Sequence, residues 1–226
     1  MSGLSSFWRG LDWSVLTDML MRVLPALICI TLHELAHGYA AFLMGDPTAK
    51  RAGRLTLNPI RHIDPMGLLS MVVFRFGWAK PVPVNMYYFR DPRRGMALTA
   101  LAGPGCNVLL AVLFLFLYGL SFPLYALGKG GFLAELCYIT AYLSVSLALF
   151  NLLPVPPLDG SKILFAFLSD EQYRKLMRYE RYGMFLLLFL LWSDILAKPL
   201  SSITEWLFDR LFFAAEWGFE LTKGLL

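Results

Sequence analysis

The sequence predicts an α-helical polytopic membrane protein. We expect about four transmembrane helices, a small membrane-associated β element between the first and second, and a C-terminal amphipathic helix. Of the 226 residues, 58% are hydrophobic and 16% are charged, whereas a soluble domain is about 45–50% apolar and about 25% charged. Several stretches also reach the roughly 20 apolar residues that a helix needs to cross a bilayer. These observations argue against a soluble enzyme and against a nucleic-acid-binding domain.

The predicted spans share a long and almost uncharged sequence. They are residues 23–45, 98–120, 136–158 and, shorter than the others, 183–198. The first span contains a single Asp, Glu, Lys or Arg residue, Glu34. The second lies within a longer uncharged stretch that glycines and prolines interrupt, and these residues weaken a helix.

The connecting segments differ in charge, which predicts their side of the membrane. Residues 46–95 carry nine Lys and Arg against three Asp, and residues 159–182 carry five Lys and Arg. Residues 119–135 carry only Lys129 and Glu135. Because cytoplasmic loops are enriched in Lys and Arg, we expect the first two segments in the cytoplasm and the third outside. The first and third helices then end on the cytoplasmic side.

Two further segments are expected to lie at the membrane surface. Residues 46–95 are too many for a plain loop, and they contain two strand-like runs, residues 54–57 and 71–76. We therefore expect a small β element there. The tail, residues 199–226, places apolar side chains at helical spacing among acids and bases, which predicts an interfacial amphipathic helix rather than a span. The whole chain, 1–226, is expected to form one domain.

The motif HELAH at residues 33–37 carries the chemistry. At a spacing of four, His33 and His37 project from one face of a helix and can bind one zinc ion. Glu34 lies beside them and is placed to act as the general base of a metalloprotease. Ionisable residues inside a membrane helix are costly, so three together require an explanation. The alternative is a polar contact between helices, or a helix end that reaches water.

A catalytic zinc usually has a third protein ligand, and Asp159 is the strongest candidate. It follows a proline-rich stretch at the end of the third span, where the helix is broken and Gly160 permits a sharp turn. Its alternative role is to cap the next helix. Cys29 precedes His33 by one turn, but three ligands on one straight helix would spread over about 12 Å, so Cys29 is expected in the core. His62 is a further ligand candidate. With Asp64 it could instead support or gate the site, or form a surface pair, which the sequence favours.

Taken together, the motifs resemble those of the site-2 protease family of intramembrane zinc metalloproteases. The similar segments are HELAH at 33–37, GWAKPVPVN at 77–85, GPGCN at 103–107 and NLLPVPPLDG at 151–160. The resemblance covers about residues 23–165, the expected catalytic core, with C-terminal helices at 183–226. It implies that His33, His37 and Asp159 bind zinc and that Glu34 is the base. It also implies transmembrane protein substrates and a prokaryotic cell membrane. The charges of the connecting segments predict an active site open to the cytoplasm.

The resulting prediction is a zinc-dependent endopeptidase that cuts within or near transmembrane segments. Asn107 and Asn151 are candidates to stabilise the oxyanion or position the substrate; the alternative for each is a structural hydrogen bond between helices. Two alternatives stay open: a metal-binding or metal-transport protein of the same fold, and a structural or partner-binding membrane subunit. The sequence leaves the oligomeric state and the substrate open.

Overall fold

The computed structural model describes residues 13–67, 78–193 and 195–225, and most of them are helical. The α-helices, in chain order, are α1 (Trp13–Leu43), α2 (Thr48–Arg51), α3 (Pro92–Ala126), α4 (Gly131–Asn151), α5 (Asp159–Phe165), α6 (Asp170–Trp192), α7 (Ala197–Leu211) and α8 (Phe213–Thr222). Short 3₁₀ turns occupy Pro59–Arg61, Met86–Tyr88 and Lys223–Leu225.

Three of these helices are long and apolar enough to cross a membrane, namely α1, α3 and α4. A fourth span results if Tyr182–Trp192 and Ala197–Thr222, which meet at a bend of 82°, are counted as one broken helix. The prediction of a helical polytopic membrane protein is therefore confirmed, with three or four spans. The third span was expected to reach residue 158, but α4 ends at Asn151, because the prolines that follow cannot continue the helical hydrogen-bond pattern.

Helix α3 is the centre of the bundle, since it packs against α1, α4 and α8. Its first turn is fixed by Asp91, whose carboxylate accepts hydrogen bonds from the backbone N–H groups of Arg93 and Arg94. Further along, the backbone of α8 approaches so closely that a side chain at Gly119 would overlap the carbonyl of Ala215. Small residues at such contacts let membrane helices pack tightly, and α3 is therefore packed closely against its neighbours.

The C-terminal tail differs from the single interfacial helix that was expected. It forms two helices, α7 and α8, and α8 buries Ala214, Ala215 and Gly218. From α7, Phe208 is also buried and contacts the rings of Tyr138 and Tyr142. The tail thus completes the apolar core around α3 and α4.

The predicted β element is not found in the described part of the chain. Residues 55–57 form bends, residue 54 has no regular structure, and the described residues contain only an isolated bridge between Ile63 and Ala79. The second predicted strand, residues 71–76, lies outside the described residues. The bends follow from side-chain anchoring: Arg54 is buried and donates to the carbonyl of Lys80, while His62 Nε2 donates to the carbonyl of Thr56 at 2.9 Å. Side chains rather than a neighbouring strand thus fix this backbone.

Candidate metal centre and active site

His33, His37 and Asp159 meet at one buried point between α1 and α5. The Nε2 atoms of the two histidines are 3.0 Å apart. The Oδ2 atom of Asp159 lies 3.1 Å from Nε2 of His33 and 3.0 Å from Nε2 of His37. Each of the three residues is at most 7% exposed. The motif on α1 and the distant aspartate are thus brought together as a set of three potential ligands.

The hydrogen bond on the other side of His37 determines which nitrogen is protonated. Nδ1 of His37 is 2.7 Å from the backbone carbonyl of Thr99. Because a carbonyl only accepts, Nδ1 carries the proton, and in a neutral imidazole Nε2 then presents a bare lone pair. That lone pair points at the carboxylate of Asp159 and at the second imidazole. Electron-rich atoms this close repel one another unless a cation or a proton lies among them.

One face of α3 supports both histidines. Thr99, Gly103 and Asn107 follow one another at a spacing of four on this helix. The Asn107 side-chain amide is 3.3 Å from Nδ1 of His33, as the Thr99 carbonyl is near Nδ1 of His37. Between them, a Cβ atom at Gly103 would overlap both imidazole rings. The absence of a side chain at 103 therefore leaves the space that the two rings and a ligand between them need.

These residues fit a metal ion. Two imidazoles and one carboxylate form a donor set that zinc takes in catalytic sites. At zinc–ligand distances of 2.0–2.1 Å, the ligand atoms of a tetrahedral site are about 3.3 Å apart, close to the 3.0–3.1 Å among the three atoms here. In addition, Oδ1 of Asn107 is buried without a hydrogen-bond partner. Rotating that amide by 180° would let Oδ1 accept from Nδ1 of His33, which leaves the lone pair of its Nε2 for a metal.

The Asp159 carboxylate is held in its ionised form. Burial raises the pKa of this carboxyl group. When a proton rather than a metal lies among the three atoms, hydrogen bonds from the histidines and the nearby ammonium of Lys162 outweigh burial and lower the pKa well below its ordinary value. Lys162 lies one turn along α5, with Nζ 3.3 Å from Oδ1 of Asp159. A carboxylate that stays ionised is the form that binds a metal.

Glu34 lies at the edge of the same site. Its Oε2 atom accepts a hydrogen bond of 2.8 Å from the backbone N–H of Val82. Val82 belongs to residues 80–85, a non-helical segment that we call the strap, in which Pro81 and Pro83 favour an extended backbone. The strap is held at both ends, because Lys80 N–H donates to the carbonyl of His62 at 2.9 Å and Asn85 N–H donates to Oδ2 of the buried Asp46 at 2.7 Å.

A cleft of about 220 Å³ opens between α1, α3, α5 and the strap. Its walls combine the polar groups of the site with apolar side chains. The lining residues are Glu34, His37, Pro81, Val82, Val84, Met96, Thr99, Ala100, Asp159 and Lys162. Two of the three potential ligands, His37 and Asp159, therefore share one cavity with Glu34, where a bound molecule would contact all three residues.

Other predicted residues lie apart from this cluster. Cys29 is fully buried, as expected for a core residue, and hydrogen-bonds with Ser144. The expectation that His62 forms a surface pair with Asp64 was wrong: His62 is 1% exposed, and Asp64 caps the backbone N–H groups of Met66 and Gly67. His62 is not among the residues that converge as potential ligands.

The two asparagines have different surroundings. Asn107 contacts His33, as described above, whereas the amide of Asn151 donates to the carbonyl of Leu147 one turn earlier in α4, at 2.9 Å. Neither contact tests a role in substrate binding, which stays a prediction for both residues.

Several contributors were missed from the sequence. The carbonyl of Thr99 and the N–H of Val82 act through the backbone, so no residue type marks them. Gly103 and Lys162 could have been found. Gly103 lies four residues before Asn107 on the same face of α3, and Lys162 follows Asp159 at the i, i+3 spacing at which helix side chains meet.

Comparison with known proteins identifies the family of this chain. The model described as Peptidase family M50 matches residues 125–193. The Bacillus subtilis (strain 168) protein named "Putative zinc metalloprotease YwhC" is 42% identical over 81% of this chain and 83% of its own length. The chain belongs to peptidase family M50. Proteins of family M50 are site-2 proteases, so the resemblance drawn from the motifs is confirmed.

More distant M50 relatives agree. Two of them are named "Putative zinc metalloprotease Rip2". The protein of Mycobacterium tuberculosis (strain H37Rv) is 33% identical to this chain and that of Mycolicibacterium smegmatis is 30% identical. Each match covers 81% of this chain and 71% of the relative. No solved structure matches at a comparable level of significance. The chain is accordingly a metallopeptidase of family M50 with helices suited to a membrane.

Proposed function

We propose that this protein is a zinc-dependent intramembrane endopeptidase, which hydrolyses peptide bonds within or near the transmembrane segments of other membrane proteins. The observation that carries the proposal is the convergence of His33, His37 and Asp159 beside the carboxylate of Glu34. The names of the relatives support zinc as the metal, and so does the donor set of two imidazoles and one carboxylate.

In this proposal the three buried side chains are the zinc ligands. When bound, zinc supplies a Lewis acid that polarises the scissile carbonyl and makes water a better nucleophile at neutral pH. The protein holds each histidine from behind, through the Thr99 carbonyl and the Asn107 amide. Such outer hydrogen bonds fix the ring orientation and the tautomer of a metal-binding histidine.

Glu34 is the proposed general base. The N–H of Val82 holds Oε2 at 2.8 Å, which leaves Oε1 to accept a proton from the attacking water. The carboxylic acid formed in this step can then pass the proton to the amine of the leaving peptide. A carboxylate held by only one of its oxygens is both oriented and able to exchange a proton.

The cleft suggests how a substrate is bound. A transmembrane helix shields its backbone, so it must unwind locally before hydrolysis. The strap presents extended backbone on one side of the cleft, and its side chains Pro81, Val82 and Val84 are apolar. We propose that an unwound and apolar substrate segment lies against the strap. The strand-like residues 55–57 do not offer such a surface, since they form bends.

Replacing Glu34 by Gln tests the proposal. The change removes the base but keeps the size of the side chain, so cleavage of a transmembrane substrate in proteoliposomes should fall by about 10²–10⁴-fold. Zinc content should stay near one ion per chain, because Glu34 is not a proposed ligand. Glu135→Gln is the matched control, since Glu135 is an exposed glutamate at the other end of the bundle, in α4, and it should cleave normally.

Two results would contradict this assignment. Equal cleavage by the Glu34→Gln variant and the wild type would remove Glu34 from its role. Stoichiometric zinc in a wild-type protein that cuts no membrane substrate would favour the alternative of a metal-binding or metal-transport protein.

We also propose that the site opens to the cytoplasm of a prokaryotic cell. The support is the excess of Lys and Arg in residues 46–95, because this segment connects α1 to α3 and contains the strap. A cysteine introduced at the exposed Lys50 should resist a membrane-impermeant maleimide in intact cells and react after lysis. Labelling in intact cells would reverse the proposed orientation.

A further inference from the structure

Lys162 is placed beside the proposed metal ligands but has no part in the reaction proposed above. It follows Asp159 by one turn of α5, and its Nζ lies 3.3 Å from Oδ1 of that carboxylate. The Lys162 side chain is 45% exposed, whereas the side chain of Asp159 is 8% exposed. Lys162 also lines the cleft. The ammonium thus stands where the buried carboxylate meets the open cavity.

The two oxygens of Asp159 have separate partners. Oδ2 faces Nε2 of both histidines, at 3.1 and 3.0 Å, while Oδ1 faces Lys162. A carboxylate can bind a metal through one oxygen or through both, and rotation of the group decides between these modes. A charge-assisted hydrogen bond to one oxygen opposes that rotation. In the described structure, Lys162 is the side chain that makes this bond.

We infer that Lys162 is a positioning residue of the metal centre, whose ammonium holds Oδ1 of Asp159 so that Oδ2 alone is presented to a metal ion. This inference rests on the proposed function, in which Asp159 is a zinc ligand. Lys162 acts through Asp159 and is not assigned a contact with the reacting atoms. Its loss should therefore appear first as weaker metal binding.

The test is the zinc affinity of the purified full chain in detergent, measured by competition with a fluorescent chelator. Lys162→Met removes the ammonium but keeps most of the apolar stem, and zinc affinity should fall by 10–100-fold, the usual cost of losing a partner that orients a ligand. Lys162→Arg keeps a donor for the carboxylate and should restore the affinity to within about threefold of the wild type. Lys129→Met, at an exposed lysine in the turn between α3 and α4, is the matched control and should bind zinc normally.

A double-mutant comparison checks that Lys162 acts through Asp159. In an Asp159→Ala background, adding Lys162→Met should cause no further loss of zinc affinity, because coupled residues are not additive. Wild-type zinc affinity in Lys162→Met would overturn the inference. An equal loss in both backgrounds would overturn it as well, since the lysine would then act elsewhere. Circular dichroism and size-exclusion elution establish that each variant is folded, and Lys162→Gln replaces Lys162→Met if the latter is not.

The two proposals can fail separately. A wild-type protein that binds no zinc would overturn both of them. A wild-type protein that binds zinc and cuts its substrate, together with a Lys162→Met variant of unchanged affinity, would overturn only the role of Lys162. Loss of cleavage without loss of zinc affinity in Lys162→Met would also contradict positioning, and it would point to contact with the substrate.

Discussion

Gly103 offers the sharpest test of the site, because it lies against both histidine rings. An added Cβ would be 2.7 Å from Cε1 of His33 and closer still to the ring of His37. Carbon atoms pack at about 3.5–4.0 Å, so Gly103→Ala requires the rings or α3 to retreat by about 1 Å. The histidines are held from behind by α3 itself, which leaves them little freedom to move independently.

The size of the effect can be worked out from two opposing terms. Replacing glycine by alanine within a helix normally favours the helix by about 0.8–1 kcal/mol. Overpacking in a filled core costs about 1–3 kcal/mol. At residue 103 the overlap would displace the proposed zinc ligands His33 and His37. We therefore expect zinc affinity to drop by at least about 10-fold. A misplacement of 1 Å at a catalytic centre can reduce activity by about 10²-fold, so cleavage should fall further.

Gly105 provides a control on the same helix. A Cβ at Gly105 would meet nothing within 4 Å, so Gly105→Ala should keep zinc affinity and cleavage and should not lower the thermal unfolding temperature. Chelator competition, cleavage in proteoliposomes and thermal circular dichroism are measured on both variants. If Gly103→Ala bound zinc as tightly as Gly105→Ala, the reasoning that the helix backbone sets the space for the ligands would be refuted.

Two further substitutions test the groups that support the site. Asn107→Leu removes the amide next to Nδ1 of His33 and should weaken zinc binding by about 10–100-fold; unchanged affinity in the same chelator assay would show that His33 needs no partner there. Asp46→Ala removes the buried carboxylate that accepts a hydrogen bond from Asn85 N–H, which should cost about 1–3 kcal/mol of local stability. Hydrogen exchange of the strap, measured by mass spectrometry, should then become faster. Unchanged exchange would show that the strap is anchored elsewhere.

The ligands could be predicted from the sequence because each has a local signature. A spacing of four places His33 and His37 on one helix face whatever the rest of the chain does. Asp159 follows prolines that end a helix, and the structure places it as the first residue of α5. The same prolines end α4 at Asn151, seven residues earlier than the span was drawn. The prediction from hydrophobicity alone placed the end of the third span too late in the chain, because residues 152–158 are apolar but cannot remain helical.

The local sequence pattern wrongly predicted a β element at residues 54–57, because hydrogen bonds from buried side chains determine the backbone conformation there. Residues 54–57 have strand-like residue types, yet Arg54 and His62 turn inward and bind carbonyl groups of the chain. Such anchoring depends on distant residues, which a pattern of alternation does not contain. Likewise, α8 belongs to the bundle because Gly119 and Gly218 allow close contact with α3, and this complementarity between two helices is visible only when they are together.

The charges around the cleft favour the binding of a cation. Asp159 and Glu34 bring two negative charges close to the membrane-spanning helices, and Lys162 offsets one of them. Buried charges are costly unless they are paired, and the described residues that line the cleft include no second Lys or Arg. A divalent cation among His33, His37 and Asp159 would compensate the remaining charge and relieve the repulsion of the three electron-rich atoms. Zinc should therefore stabilise the fold as well as enable catalysis. Removing it with a chelator should lower the unfolding temperature of the wild type. The same treatment should have little effect on a variant in which both histidines are replaced by alanine.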